Sequence, residues 1–126
     1  MQLLRQDPEG TLFVRRCEAQ RIVLADRELS RSFLLAADRV VEDWPVAGIE
    51  ALDAAAVEAI LVLEPELVLL GTGPRQRFPS PALQALFLTR GVGLEVMDNA
   101  AAARTFNVLV AEGRRPVAAF MLPAAG

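Results

Sequence analysis

Two short segments hold the residues best suited to chemistry. Gly71-Thr72-Gly73 sets a hydroxyl between two glycines, with Arg75 and Arg77 close behind, and Asp98-Asn99 sets a carboxylate beside an amide. If each segment leaves a strand and enters a helix, two helix N-termini gather at one edge. Their unpaired N–H groups and partial positive charge, with guanidinium groups beside them, suit an anion. Gly-Thr-Gly lacks the length and spacing of a dinucleotide or triphosphate loop. The architectural reading therefore weighs more: the glycines allow a tight exit from a strand and the arginines are solvated.

The stretch after Asp98 adds further candidates. Arg104 and Asn107 share one side of a helix at i,i+3 spacing, while Ala102, Phe106, Leu109 and Val110 form its apolar face. Asn107 reads first as a partner for a buried backbone group. Glu112, Arg114 and Arg115 follow, and a surface ion pair is their plainer reading. The candidate ligand or partner surface is thus Gly71, Thr72, Gly73, Arg75, Asp98, Arg104, Asn107, Glu112 and Arg114.

Other chemistries fall away. The chain contains no His, and its thirteen basic residues are all Arg, so imidazole proton transfer and a Schiff-base lysine are excluded. Cys17 has no His to activate it, and Ser30, Ser32 and Ser80 lack a nucleophile elbow. Glu64 and Glu66 flank Pro65 and read as loop charges. No spacing of carboxylates suggests a metal site. Catalytic residues, cofactors and metals are therefore assigned as none, and an enzyme is the less favoured class. A net charge of -3 argues against nucleic acid as a partner.

The elements that must position these residues are punctuated clearly. In 126 residues, 53% of them hydrophobic, one domain is expected over 1–126, with an antiparallel meander over about 11–45 and α then βαβαβ over about 53–122. The meander is read in Thr11–Val14, Arg21–Leu24, Ser32–Leu35 and Val40–Asp43, with Cys17–Gln20 and Ala25–Glu28 as connections, closed by Trp44-Pro45. Asp53 caps a helix that ends before Pro65, and Glu66–Leu70 is an apolar run fit for a strand buried on both faces. Ser80-Pro81 starts a second helix, which stops at Gly91. Leu94–Met97 is the next strand. Asp98 or Asn99 caps a third helix from Ala100 to about Glu112, and Pro116–Leu122 is an interior strand. The fold class is α/β: a three-layer single domain with a mixed central sheet, three helices and an N-terminal antiparallel meander.

Leu69-Leu70-Gly71-Thr72-Gly73, Gly91-Val92-Gly93-Leu94-Glu95-Val96-Met97 and above all Ala103-Arg104-Thr105-Phe106-Asn107-Val108-Leu109-Val110-Ala111-Glu112-Gly113-Arg114 resemble a small single-domain family of unknown function. That family unites bacterial and archaeal proteins with mitochondrial respiratory complex I assembly factor 3 and a human adipogenesis-associated domain protein. Where the family commonly has Thr after Met-Asp, this chain has Asn99. The resemblance implies a three-layer α/β domain, no assigned catalysis or cofactor, and protein partners.

The leading expectation is a non-catalytic interaction or assembly-factor module, partnered with a respiratory or other membrane-associated complex and contacted through apolar groups such as Phe78 and Leu88 or the meander edge. The alternative is a small-molecule or anion-binding protein, or an enzyme, using the rim of loops 71–77 and 98–99. Met1–Pro8 shows no signal-peptide core, no run of about 18 apolar residues is present to span a bilayer, and one Cys cannot form an internal disulfide. The expected location is the cytoplasm, or its membrane surface through a partner.

Overall fold

Phe33-Leu34-Leu35, Val68-Leu69-Leu70 and Val117-Ala118-Ala119-Phe120 show no polar alternation, so each needs cover on both faces. All three lie in one sheet. In the structure, a computed structural model that describes residues 12–123, that sheet contains β4 (Phe33–Ala36), β5 (Arg39–Val41), β6 (Leu67–Gly71), β7 (Gly93–Met97) and β8 (Pro116–Phe120) in the order β5-β4-β8-β6-β7. β6 runs parallel to both β7 and β8, whereas β4 pairs antiparallel with β8 and β5. A smaller antiparallel sheet holds β1 (Val14–Cys17), β2 (Ile22–Leu24) and β3 (Glu28–Leu29).

Three helices cover the central sheet: α1 (Ala54–Leu61), α2 (Pro81–Leu88) and α3 (Asn99–Ala111). Alternate residues of the central strands separate two cores, as a period of two requires. Phe33, Leu35, Leu69, Ala118 and Phe120 pack against Phe106 and Val110 of α3 and against Ile22 and Leu24 of the meander. Leu34, Val68, Leu70, Val117 and Ala119 pack against Val57 and Ile60 of α1, Phe87 of α2 and Trp44. The result is three layers, with a mixed sheet in the middle.

Local chemistry sets the helix starts. Asp53, Ser80 and Asp98 accept from the N–H groups of Ala56, Leu83 and Ala101, and Pro81 occupies the first position of α2. Gly91 and Gly113 take positive φ of 71° and 80° just beyond α2 and α3.

The antiparallel region departs from the expected four-strand meander. Its third and fourth strands, β4 and β5, are a hairpin of the central sheet, because Phe33-Leu34-Leu35 is apolar on both faces and needs two layers of cover. The meander keeps three strands. Its third, Glu28–Leu29, lies in and just beyond a stretch read as a connection, and its first begins at Val14 and includes Cys17. Thr11 lies outside the described residues.

Candidate functional site

β6 and β7 are parallel neighbours in register from Leu67↔Gly93 to Gly71↔Met97, so the two loops that follow them do meet at one rim. What they do there is largely architectural. The Thr72 hydroxyl donates to the Arg75 carbonyl at 2.6 Å and accepts from the Arg77 N–H at 2.9 Å, closing the loop on itself. The Thr72 N–H donates to the Met97 carbonyl at 2.9 Å, extending the β6–β7 ladder by one bond.

Asn99, at the first position of α3 and buried, ties three segments together. Its amide oxygen accepts from the Gly73 N–H at 3.1 Å, and its amide nitrogen donates to the Met121 carbonyl at 2.9 Å. Its own N–H donates to the Gly73 carbonyl at 2.8 Å. Gly73 supports this with φ +98°. Gly71 supports it with space, since a Cβ there would sit 2.5 Å from the Asn99 oxygen. Asp98, not Asn99, is the cap of α3.

An opening of about 370 Å³ flanks this loop, with Gly73, Arg75, Arg77, Gln20 and Glu50 on its walls. Arg75 is exposed, whereas Arg77 pairs with Glu50 at 2.7 Å. A second opening, about 190 Å³, lies between Cys17, Gly73, Asp98 and Asn99. Burial is the main cause that pushes the Cys17 thiol above its ordinary value; Asp98 and Glu18 reinforce the shift and Arg104 opposes it. Among the described residues no group of His, Cys, Asp and Glu is placed to hold a metal ion. A cleft of about 380 Å³, with Arg31, Asp43, Trp44 and Leu122 on its walls, adjoins the first opening at Ala47 and Pro123, and neither Thr72 nor Asp98 lines it.

Of the remaining candidates, Arg104 alone comes near the rim: it is exposed on α3, more than a turn beyond Asp98, and its charge acts on the Cys17 thiol. Asn107 faces β1, where it bonds both backbone groups of Val14. Glu112 and Arg114 lie at the far end of α3, about 20 Å away along a helix of this length. There Arg114 pairs at 2.9 Å with Glu66, not with Glu112. The Arg114 guanidinium, helped by the Arg115 N–H, holds the Glu66 carboxyl below the usual range.

Sequence reasoning passed over Asn99 as a joint between segments, Cys17 as a neighbour of the rim, and Ser32. The buried Ser32 hydroxyl donates to the Val46 carbonyl at 2.6 Å and accepts from the Leu122 N–H at 2.8 Å. The one available signal was an Asn directly behind a capping Asp, where its amide is free to reach beyond the helix.

A family model described as a protein of unknown function (DUF498/DUF598) matches residues 14–121. The human protein named NADH dehydrogenase [ubiquinone] 1 alpha subcomplex assembly factor 3 is 34% identical over 122 residues, covering 86% of this chain; the chain spans only 66% of that relative's length. A solution structure from Xanthomonas campestris is 44% identical with a TM-score of 0.84, covering 100% of this chain and 96% of that one. A Bordetella pertussis structure described as a Mth938-like domain is 29% identical with a TM-score of 0.82, covering 96% of this chain and 92% of that one.

Proposed function

Because the chain belongs to the family of proteins of unknown function DUF498/DUF598, we propose that it works as a non-catalytic module that binds protein partners during assembly of a membrane-associated respiratory complex. The name of the human relative supports the process, and the use of Thr72, Asn99 and Asn107 as backbone partners supports a binding role over catalysis. One observation carries the reading. Of the four large apolar side chains exposed among the described residues, Val62, Phe78, Leu88 and Val108, two bracket α2: Phe78 before it and Leu88 at its end, 63% and 66% exposed. We assign the contact face to α2 and its flanks. No helix among the described residues is long and apolar enough to cross a membrane, so attachment to a membrane complex would run through the partner.

Affinity purification of the tagged chain in mild detergent, followed by mass spectrometry, tests this. Subunits or assembly factors of one membrane complex should be enriched, and Phe78→Ser with Leu88→Ser should deplete them. No enrichment over an unrelated acidic protein overturns the reading.

A second reading, an anion or small molecule bound at the rim, has one observation in its favour: Arg75 lies exposed beside the opening of about 370 Å³. It requires that inorganic phosphate or a small carboxylate raise the melting temperature of the wild type but not of Arg75→Gln. Equal shifts in both would remove it.

A further inference from the structure

An edge strand leaves a row of backbone donors and acceptors open, and proteins ordinarily blunt such rows. Three edges in this structure are blunted. β3 has two residues, and β5 has three, beginning with Arg39. β1 is broken by a register shift between Val14 and Arg16, and the Asn107 amide takes both the N–H and the C=O of Val14.

β7 is different. It runs five residues in unbroken register with β6. The Met97 carbonyl accepts from Thr72, so Met97, Glu95 and Gly93 direct their backbone groups at β6, and Leu94 and Val96 direct theirs outward. Among the described residues, the Val96 carbonyl alone of those outward groups is met, by the side-chain amide of Gln76 at 2.9 Å. That amide stands where the N–H of an added strand would stand.

The surroundings suit an added strand. α2 packs on β7 and ends at the exposed Leu88 near the strand's start. Leu94 and Val96 present a half-buried apolar row on the α2 face. Glu95 points to the other face, exposed, and belongs to none of the ion pairs among the described residues.

We propose that the β7 edge is a strand-addition site for an extended segment of a different protein, apolar at alternate positions and carrying a basic side chain beside Glu95. This rests on the interaction reading above and names its recognition surface. A second copy of this chain fits poorly, because antiparallel pairing of β7 with itself in full overlap sets Glu95 against Glu95.

The test uses the full chain and two end-blocked peptides, Thr-Val-Lys-Val-Thr-Val and its counterpart with Glu in place of Lys, followed by amide NMR. The Lys peptide should slow hydrogen exchange at Leu94 and Val96 and bind about fivefold tighter than the Glu peptide. Glu95→Arg should reverse that preference. Val96→Pro should abolish binding while sparing the β6 ladder, since the lost N–H points outward. If this proline weakens β7, the exposed Glu95→Arg carries the comparison by itself. Unchanged exchange at Leu94 and Val96, equal binding of the two peptides, or protection of these amides by self-dimerisation would overturn the proposal. A partner captured equally by wild type and Glu95→Arg also overturns it, while leaving the interaction reading intact. A wild-type chain that captures nothing overturns that reading, and the peptides still decide for β7.

Discussion

Asn107 grips Val14 by both of its backbone groups: the amide oxygen accepts from the Val14 N–H at 2.9 Å, and the amide nitrogen donates to the Val14 carbonyl at 2.9 Å. A side chain on α3 thus acts as the neighbouring strand for β1 and docks the small sheet on the helix. Asn107→Ala should cost about 2 kcal/mol, because two half-buried backbone groups lose their partners. The midpoint should fall by about 8 °C, with amide exchange fastest in β1. A loss below about 0.5 kcal/mol, the range of an ordinary surface substitution, would contradict this role.

The Asn99 joint makes a sharper prediction. Asn99→Ala leaves the Gly73 N–H and the Met121 carbonyl unpaired in a buried place, at about 3 kcal/mol. Asn99→Thr can replace one of the two bonds and should cost about half as much. Gly71→Ala forces a Cβ to within 2.5 Å of the Asn99 oxygen and should cost about 2 kcal/mol. The double variant Gly71→Ala/Asn99→Ala should cost less than the two single losses together, since removing the amide frees the space. Chemical denaturation of the four chains settles it, and simple additivity would count against the joint.

Acid should weaken the fold through Glu66. Its folded carboxyl lies below the unfolded value of about 4.3, held there first by Arg114 and then by the Arg115 N–H. The contribution is therefore complete above the unfolded value and is lost as pH falls through the folded one. Glu18, Asp26 and Glu50 are lowered in the same direction by arginines and backbone. Glu66→Gln should lose less stability than wild type between neutral pH and about pH 3, and the difference should shrink in high salt. Parallel curves for the two chains would refute the assignment.

Cys17 reports on the rim. Asp98→Asn keeps an N-cap while removing a charge that raises the thiol. Alkylation at pH 8 should speed up by about twofold, and Arg104→Gln should slow it by about twofold. Identical rates in both variants would show that neither charge faces the thiol.

Much of this architecture could be read from neighbours in sequence. Asp53, Ser80-Pro81 and Asp98 mark helix starts through contacts within a few residues, and Gly91 and Gly113 mark their ends. The parallel pairing of β6 and β7 followed from strand, helix and strand in succession. The rest depends on distant partners. The membership of β4 in the central sheet is set by β8, some eighty residues on, and β3 is too short to carry a pattern. Asn107 meets Val14 across 93 residues, Asn99 meets Met121 across 22, and Arg114 meets Glu66 across 48. The types of these side chains were visible, but their partners were chosen by the packed layers.

The most direct measurement is the quantity of intact NADH dehydrogenase complex in membranes of cells that lack this chain, resolved on native gels. Loss of the mature complex with accumulation of subassemblies, reversed by the wild-type chain and poorly by Phe78→Ser/Leu88→Ser, is the predicted result. Normal amounts of the mature complex and of every other respiratory assembly would contradict the account.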